Sequence, residues 1–232
     1  MNTFAYRAVI FDMDGLILDT EPLYKRAWQK AGDVLGYPIT DAFYETLVGR
    51  RTQEAMAAMR EKFGDQFHEE RFHEYWLNEW KTIVREEGIP TKEGFKQVIA
   101  LVERHNLPTA IATSTEEDRA RLSLEASGLD GRFPVIVTGD QIAAGKPAPD
   151  IYLEAARRLG VPSEACVVLE DSEPGVLSAH AAGMAPIMDP DMTDPSEDVR
   201  RAAVHVVPSL LEVTDLIEAF VLNSTSSQSI DS

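Results

Sequence analysis

The sequence predicts a doubly wound α/β domain built on a parallel sheet and interrupted after its first strand by an all-helical insertion. Three observations predict it. A short apolar strand at residues 6–14 is followed, from Thr20 to Glu87, by segments that read only as helix. Beyond residue 94, strands and helices alternate, and alternation at this length requires parallel strands joined by right-handed crossovers. The 232 residues, 44% hydrophobic and 26% charged, suffice for one large domain or two modest ones with buried cores.

The insertion opens with DTEPLYKRAWQKAGDVLG. Asp19 or Thr20 is expected as N-cap and Pro22 in the first turn; apolar residues recur at Leu23, Ala27, Ala31, Val34 and Leu35, and Gly36 ends the helix. Helices are expected next at 52–62 and 68–85. The latter carries Phe72, Tyr75, Trp76 and Trp80, an aromatic stripe expected to pack as core. GIPTKEG, 88–94, has the composition of a linker. Strands are then expected at 109–113, 135–138, 166–170, 185–188 and 204–207, with helices near 95–105, 116–127, 150–159 and 175–182. LNSTSSQSIDS is too polar to pack and is expected to be a disordered tail. The organisation expected is a core of 1–19 and 89–222, a helical insertion of 20–88 and a tail of 223–232.

Composition excludes several functions. A formal charge of −17 with no basic stripe argues against a nucleic-acid partner. It also repels an anionic substrate, so attraction must come from a few local cations. The opening MNTFAYRAVIF lacks a charged leader with a long apolar core, and no run approaches the roughly 18 apolar residues of a membrane span. A cytoplasmic protein without a membrane partner, monomeric or weakly dimeric, is expected. Cys166 is the only cysteine, so no intrachain disulfide or cysteine metal cluster can form, and a buried strand thiol is expected.

In such a sheet, ligands bind at the carboxyl ends of the strands, near the point where strand order reverses. The stretch AVIFDMDGLILDT, residues 8–20, ends its strand in Asp12 and Asp14. The next strand leads to Thr113, Ser114 and Thr115, the third to GKPAPD with Lys146, and the fourth to Glu170 and Asp171. Each has an ordinary alternative: a strand breaking into a turn, a capping box of Thr113 with Glu116 or Ser114 with Glu117, a solvated loop lysine, a helix start. Together they are harder to explain so. Converging carboxylates repel by roughly 4 kcal/mol per pair at 4 Å and an effective dielectric of 20, which a bound cation relieves. An all-oxygen donor set suits Mg2+, and the five scattered histidines argue against zinc. Asp12 and Asp14, two apart, share a face while Met13 points the other way, and Gly15 permits a sharp turn beside them. The helix starting near Thr115 is expected to aim free amides at an anion.

DMDGLILDT, ATST, GKPAPDIY and VVLEDSEPGV, in this order and spacing, resemble the four signature motifs of the haloacid dehalogenase superfamily. The early helical insertion is similar to the cap of its β-phosphoglucomutase-like phosphatase branch. The resemblance implies a Rossmann-like core with a helical cap, and Mg2+-dependent hydrolysis of a small phosphorylated metabolite, a sugar phosphate or similar, through an aspartyl-phosphate. By that resemblance Asp12 attacks phosphorus, while Asp14 protonates the leaving alcohol, activates the hydrolytic water and lends its backbone carbonyl to Mg2+. Asp171 holds the metal with Glu170 assisting directly or through water; Thr113, Lys146 and the amides around Ser114 and Thr115 hold phosphate oxygens. The charges agree, because a carboxylate meets a phosphate dianion with a repulsion of roughly 8 kcal/mol at 4 Å and that same dielectric. Asp14 separates this chain from the dehalogenases of the superfamily, whose halide leaves without protonation.

Two alternatives stay open. A β-phosphoglucomutase-type phosphosugar mutase would carry a cap histidine and lysine where Tyr24 and Val48 stand here. A phosphoacceptor signalling domain uses similar chemistry but carries its aspartate on a middle strand and lacks so large an insertion. Glu21, Tyr24, Gly49, Arg50 and Arg51, with Trp76, are the expected substrate-selecting residues of the cap. Alanine at Arg50 or Arg51 is expected to raise KM for the natural substrate, and unchanged steady-state kinetics would remove them from that role.

Overall fold

Apolar runs such as Ala8–Phe11 and Cys166–Glu170 are buried at every residue, the pattern of strands covered by helices on both faces. In the structure, a computed structural model that describes residues 6–48, 52–191 and 194–226, they lie at the centre of a parallel sheet. The elements are β1 (Ala8–Phe11), α1 (Glu21–Leu35), α2 (Asp41–Glu45), α3 (Thr52–Phe63), α4 (Glu69–Glu87), α5 (Phe95–Arg104), β2 (Thr109–Ala112), α6 (Glu117–Ala126), β3 (Val135–Val137), α7 (Asp150–Leu159), β4 (Cys166–Glu170), α8 (Glu173–Ala181), β5 (Ala185–Met188), α9 (Glu197–Ala202), β6 (His205–Val206) and α10 (Leu210–Ser226).

The six strands run in the order β3-β2-β1-β4-β5-β6, all parallel. The chain winds outward from β1 to β3, then returns to β4 on the other side of β1, so the order reverses between β1 and β4. Register aligns their ends. Phe11 pairs with Ile111 of β2 and Leu169 of β4, which puts Asp12 level with Ala112 and Glu170. Behind the strand ends, Ile10, Ala112, Val137, Ile151, Tyr152, Ala155 and Val168 form one buried cluster.

Among the described residues the chain divides into two compact units, one within Met1–Asp19 and Pro90–Ser232, the other within Thr20–Ile89. Among the described residues the secondary structure of the second is all helical. Its α1 packs on α4 through Leu23, Ala27, Trp28 and Ala31 against Phe72, Trp76 and Trp80. Trp28 meets Phe72 edge-on at 5.2 Å, and Tyr24 stacks on Trp80 at 5.4 Å. The aromatic stripe of α4 is therefore core. No helix among the described residues is long and apolar enough to cross a membrane.

Several local expectations need correction. Val34 is 56% exposed, because the buried face of α1 runs through Trp28 and Gly32 instead. Thr20 stands at the N-cap of α1, but its side chain does not cap the helix. The first strand is shorter than 6–14: after Phe11 the chain closes into a turn in which the Ile17 and Leu18 amides donate to the Met13 carbonyl. Helices α2, α9 and α10 had no expectation, being short or close to the polar end. Helix α10 reaches Ser226 and so enters the segment expected to be disordered; anchored by buried Leu210, Val213 and Ile217, its backbone bonding continues past its apolar part. Residues 227–232 lie outside the described residues.

Cys166, at the start of β4, is fully buried, and desolvation pushes its thiol up to about 11. The thiolate fraction at pH 8 is then minor. The native protein is expected to resist Ellman's reagent at pH 8 and to release one equivalent of thiol on unfolding; rapid labelling of the native protein would contradict the buried placement.

Candidate active site

The strand ends bring most of the predicted site residues together around one ammonium. Lys146, from the loop before α7, is buried to 5% side-chain exposure. Its Nζ donates to Asp12 Oδ1, to Glu170 Oε1 at 2.6 Å and to the Ala112 carbonyl at 3.1 Å. These three acceptors sit at the ends of adjacent strands β1, β4 and β2, so the sheet's register aims all three donors of the ammonium.

Glu170 is fully buried and heavily hydrogen-bonded. Oε1 also accepts the Tyr152 hydroxyl at 2.6 Å; Oε2 accepts the amides of Asp171 and Ser172 at 3.0 Å each and the Ser172 hydroxyl at 2.9 Å. Five donors occupy this carboxylate. Direct metal contact through Glu170 would require one of them to yield, and in this structure the residue anchors Lys146. Its carboxylate sits against the first turn of α8, where a Cβ on Gly175 would overlap it.

Asp14 lies beside Asp12 and is oriented by hydroxyls. Its Oδ2 accepts from Thr113 Oγ1 at 3.3 Å and Thr115 Oγ1 at 2.8 Å, while Oδ1 is buried with no partner. Thr113 is itself fixed, its hydroxyl accepting the Thr115 amide at 3.1 Å. Ser114 between them is exposed. Asp171 follows Glu170 and lies against Gly15, whose φ of +85° and lack of a Cβ leave room for that carboxylate.

The charges are unequal by construction. Burial pushes the Asp12 carboxyl up to about 7 in spite of Lys146, with Glu170 and Asp14 adding to the rise. Asp171 is raised well above the usual carboxylate range by burial, then by Asp12 and Glu170. Burial works against the Glu170 anion too, but Lys146 and the hydrogen bonds from Lys146 and Tyr152 hold it below its ordinary value. Lys146 remains an ammonium because Asp12 and Glu170 outweigh its desolvation.

This donor set fits a hard divalent cation. The Asp12 carboxyl and the half-buried Asp171 carboxyl both stand above their ordinary range in spite of Lys146, Asp171 lies at the recess of Gly15, and Asp14 keeps a buried Oδ1 without a partner. As they stand, no three Asp, Glu, His or Cys side chains among the described residues are grouped at ligand spacing. Asp12 is bonded to Lys146, and Asp14 to Thr113 and Thr115.

At the N-terminus of α6 one amide is already taken, because Asp140 Oδ1 accepts the Glu117 amide at 3.1 Å, and the first turn is itself acidic. The N-cap is Glu116, with no side-chain cap bond, so the alternative reading of Thr113 with Glu116 or Ser114 with Glu117 as a capping box is not what the structure shows. In the helical unit, Glu21 bonds the Tyr44 hydroxyl, Tyr24 is half-buried on Trp80, and Trp76 is 4% exposed inside the aromatic core. Gly49, Arg50 and Arg51 lie outside the described residues. The sequence reading missed Tyr152 and Gly175, although both stand inside motifs it had marked, GKPAPDIY and VVLEDSEPGV.

The close approach at α8 yields a prediction. Gly175→Ala should lower stability by about 1–3 kcal/mol through overpacking against Glu170, read as a fall in Tm. An unchanged Tm would mean that the Glu170 carboxylate is not seated there.

Comparison with known proteins agrees with this geometry. Residues 9–188 match the family model described as haloacid dehalogenase-like hydrolase. The phosphorylated carbohydrates phosphatase of Thermotoga maritima is 36% identical over 177 residues, covering 76% of this chain and 82% of that protein. Fructose-1-phosphate phosphatase YqaB of Escherichia coli is 34% identical over 181 residues, covering 77% and 94%. A crystal structure from Thermotoga maritima, assigned as a beta-phosphoglucomutase, superposes with a TM-score of 0.80 at 32% identity, covering 92% of this chain and 99% of that one. The chain belongs to the haloacid dehalogenase-like hydrolases, in their phosphoglucomutase-like branch.

Proposed function

We propose that the protein is a Mg2+-dependent phosphatase that hydrolyses a small phosphorylated metabolite, a sugar phosphate or a close analogue, through an aspartyl-phosphate on Asp12. Its relatives make it a phosphoric monoester hydrolase; the named phosphatases among them act on phosphorylated carbohydrate and fructose 1-phosphate. The observation that carries the finer reading is the division of labour between the two aspartates. Asp12 is tied to Lys146 through Oδ1, whereas Asp14 is tied through Oδ2 to two threonines and keeps Oδ1 free.

Asp12 presents its second oxygen to phosphorus, and the bond from phosphorus to the leaving alcohol oxygen breaks as the aspartyl-phosphate forms. Asp14, protonated on Oδ1, gives that proton to the departing oxygen. The same oxygen then takes a proton from the water that attacks the phosphorylated Asp12, which restores the carboxylate and releases phosphate. Lys146 offsets the negative charge that gathers on Asp12 and the phosphoryl oxygens, and Thr113 and Ser114 line the phosphate side. Asp12, the Asp14 carbonyl and Asp171 would hold Mg2+, with Glu170 contributing through water. When bound, the ion withdraws charge from the phosphoryl oxygens and lets two anions approach. The helical unit acts as the cap: hinges near residues 19–22 and 88–94 let it admit substrate and exclude water, and Glu21, Tyr24, Gly49, Arg50 and Arg51 select among substrates. Trp76 leaves that set because it is buried.

Membership in a hydrolase family argues against the phosphoacceptor reading, and the tyrosine at position 24 against the mutase. A panel of phosphorylated metabolites, including β-glucose 1-phosphate, assayed for both free phosphate and isomerised product, tests the function. Multiple turnovers of phosphate release are expected, lost on chelation of Mg2+, and Asp12→Asn should lower kcat by ~10³-fold or more. Isomerised product without net phosphate release, or near-normal turnover by Asp12→Asn, would contradict the proposal.

A further inference from the structure

The carboxylates that crowd the end of β4 have a neighbour that no motif contains. Asp191 lies in the loop after β5, the strand next to β4. A Cβ built on Gly15 would overlap Asp171 Oδ2 and lie 3.4 Å from Asp191 Oδ2, so both carboxylates face the same side of Gly15. The other oxygen of Asp191 accepts from Lys92 Nζ, and both side chains are largely buried, at 25% exposure for Lys92 and 15% for Asp191. Lys92 comes from the segment that returns from the helical insertion, pinned to the turn after β1 by its amide bond to the Ile17 carbonyl at 2.9 Å. The other charges acting on Lys92 are Asp19 and Asp189, both carboxylates.

We infer that Asp191 and Lys92 are a pair of positioning residues that set the charge felt by a cation at Asp12 and Asp171. The inference rests on the reading of those aspartates as metal ligands. Asp191 adds one negative charge at the rim of the cation site and at the same time holds the Lys92 ammonium to itself. Removing Asp191 alone deletes an attractive charge and leaves a repulsive one unneutralised. Removing Lys92 alone exposes the full charge of Asp191. The two substitutions therefore act on Mg2+ in opposite directions, which a simple loop anchor would not do.

Titration of metal-free protein with Mg2+ by calorimetry at low ionic strength reads this directly. Asp191→Asn should weaken Mg2+ binding about tenfold, Lys92→Met should tighten it severalfold, and the double variant should return close to wild type. Asp191→Glu should restore binding, and the substituted proteins should keep wild-type circular dichroism. Weakening by both single variants, with no recovery in the double, would overturn the inference and leave the pair a structural anchor. Asp171→Asn separates the two levels: its loss of Mg2+ binding upholds the ligand reading, whereas wild-type binding by Asp171→Asn would overturn that reading and this inference together.

Discussion

One buried ammonium ties together the carboxyl-end edge of the sheet. Lys146 joins the ends of three adjacent strands by donating to Asp12, Glu170 and the Ala112 carbonyl. Taking two carboxylates and a lysine out of water carries a large desolvation penalty, offset only when geometry is good and the remaining lone pairs are filled. Here they are filled. Tyr152, Ser172 and two backbone amides complete Glu170, and Gly175 makes room for it. The result is an asymmetric pair: Glu170 is stabilised as an anion, whereas Asp12 keeps a carboxyl raised to about 7. The less satisfied carboxylate is the one that benefits most from a second cation and from chemistry.

That arrangement answers the contradiction set by the composition. A chain of net charge −17 repels phosphate at a distance, so the attraction has to be local and shielded. In the proposed mechanism Lys146 supplies it, at a depth where the effective dielectric is lower than at the surface. Lys92 is a second cation in the same unit, committed to Asp191.

The sheet and its strand ends were legible because they rest on strong local signals. Four short apolar runs ending in Asp12, Thr113, the GKPAPD loop and Glu170 can form only a buried parallel sheet with polar residues at one edge. Helices α1, α3 and α4 of the insertion were legible from their apolar period, although the short α2 was not and Val34 shows that an apolar residue at nearly the right phase can still face water. What could not be read depends on contacts distant in sequence. Asp140 accepts the first amide of α6 from 23 residues away. Tyr152 reaches Glu170 across 18 residues, and Lys92 reaches Asp191 across 99. Spacing revealed which residues gather, while hydrogen-bond saturation of Glu170 and the free oxygen of Asp14 emerged only with side chains in place.

The central claim is that Asp12, held by Lys146, accepts the phosphoryl group. Rapid acid quench of the working enzyme with a phosphorylated sugar, followed by peptide mass spectrometry, tests it most directly. The account predicts a transient phosphoryl adduct on Asp12 in the peptide that contains residues 8–18, absent in Asp12→Asn. An adduct on another residue, or steady turnover with none formed on any carboxylate, would contradict it.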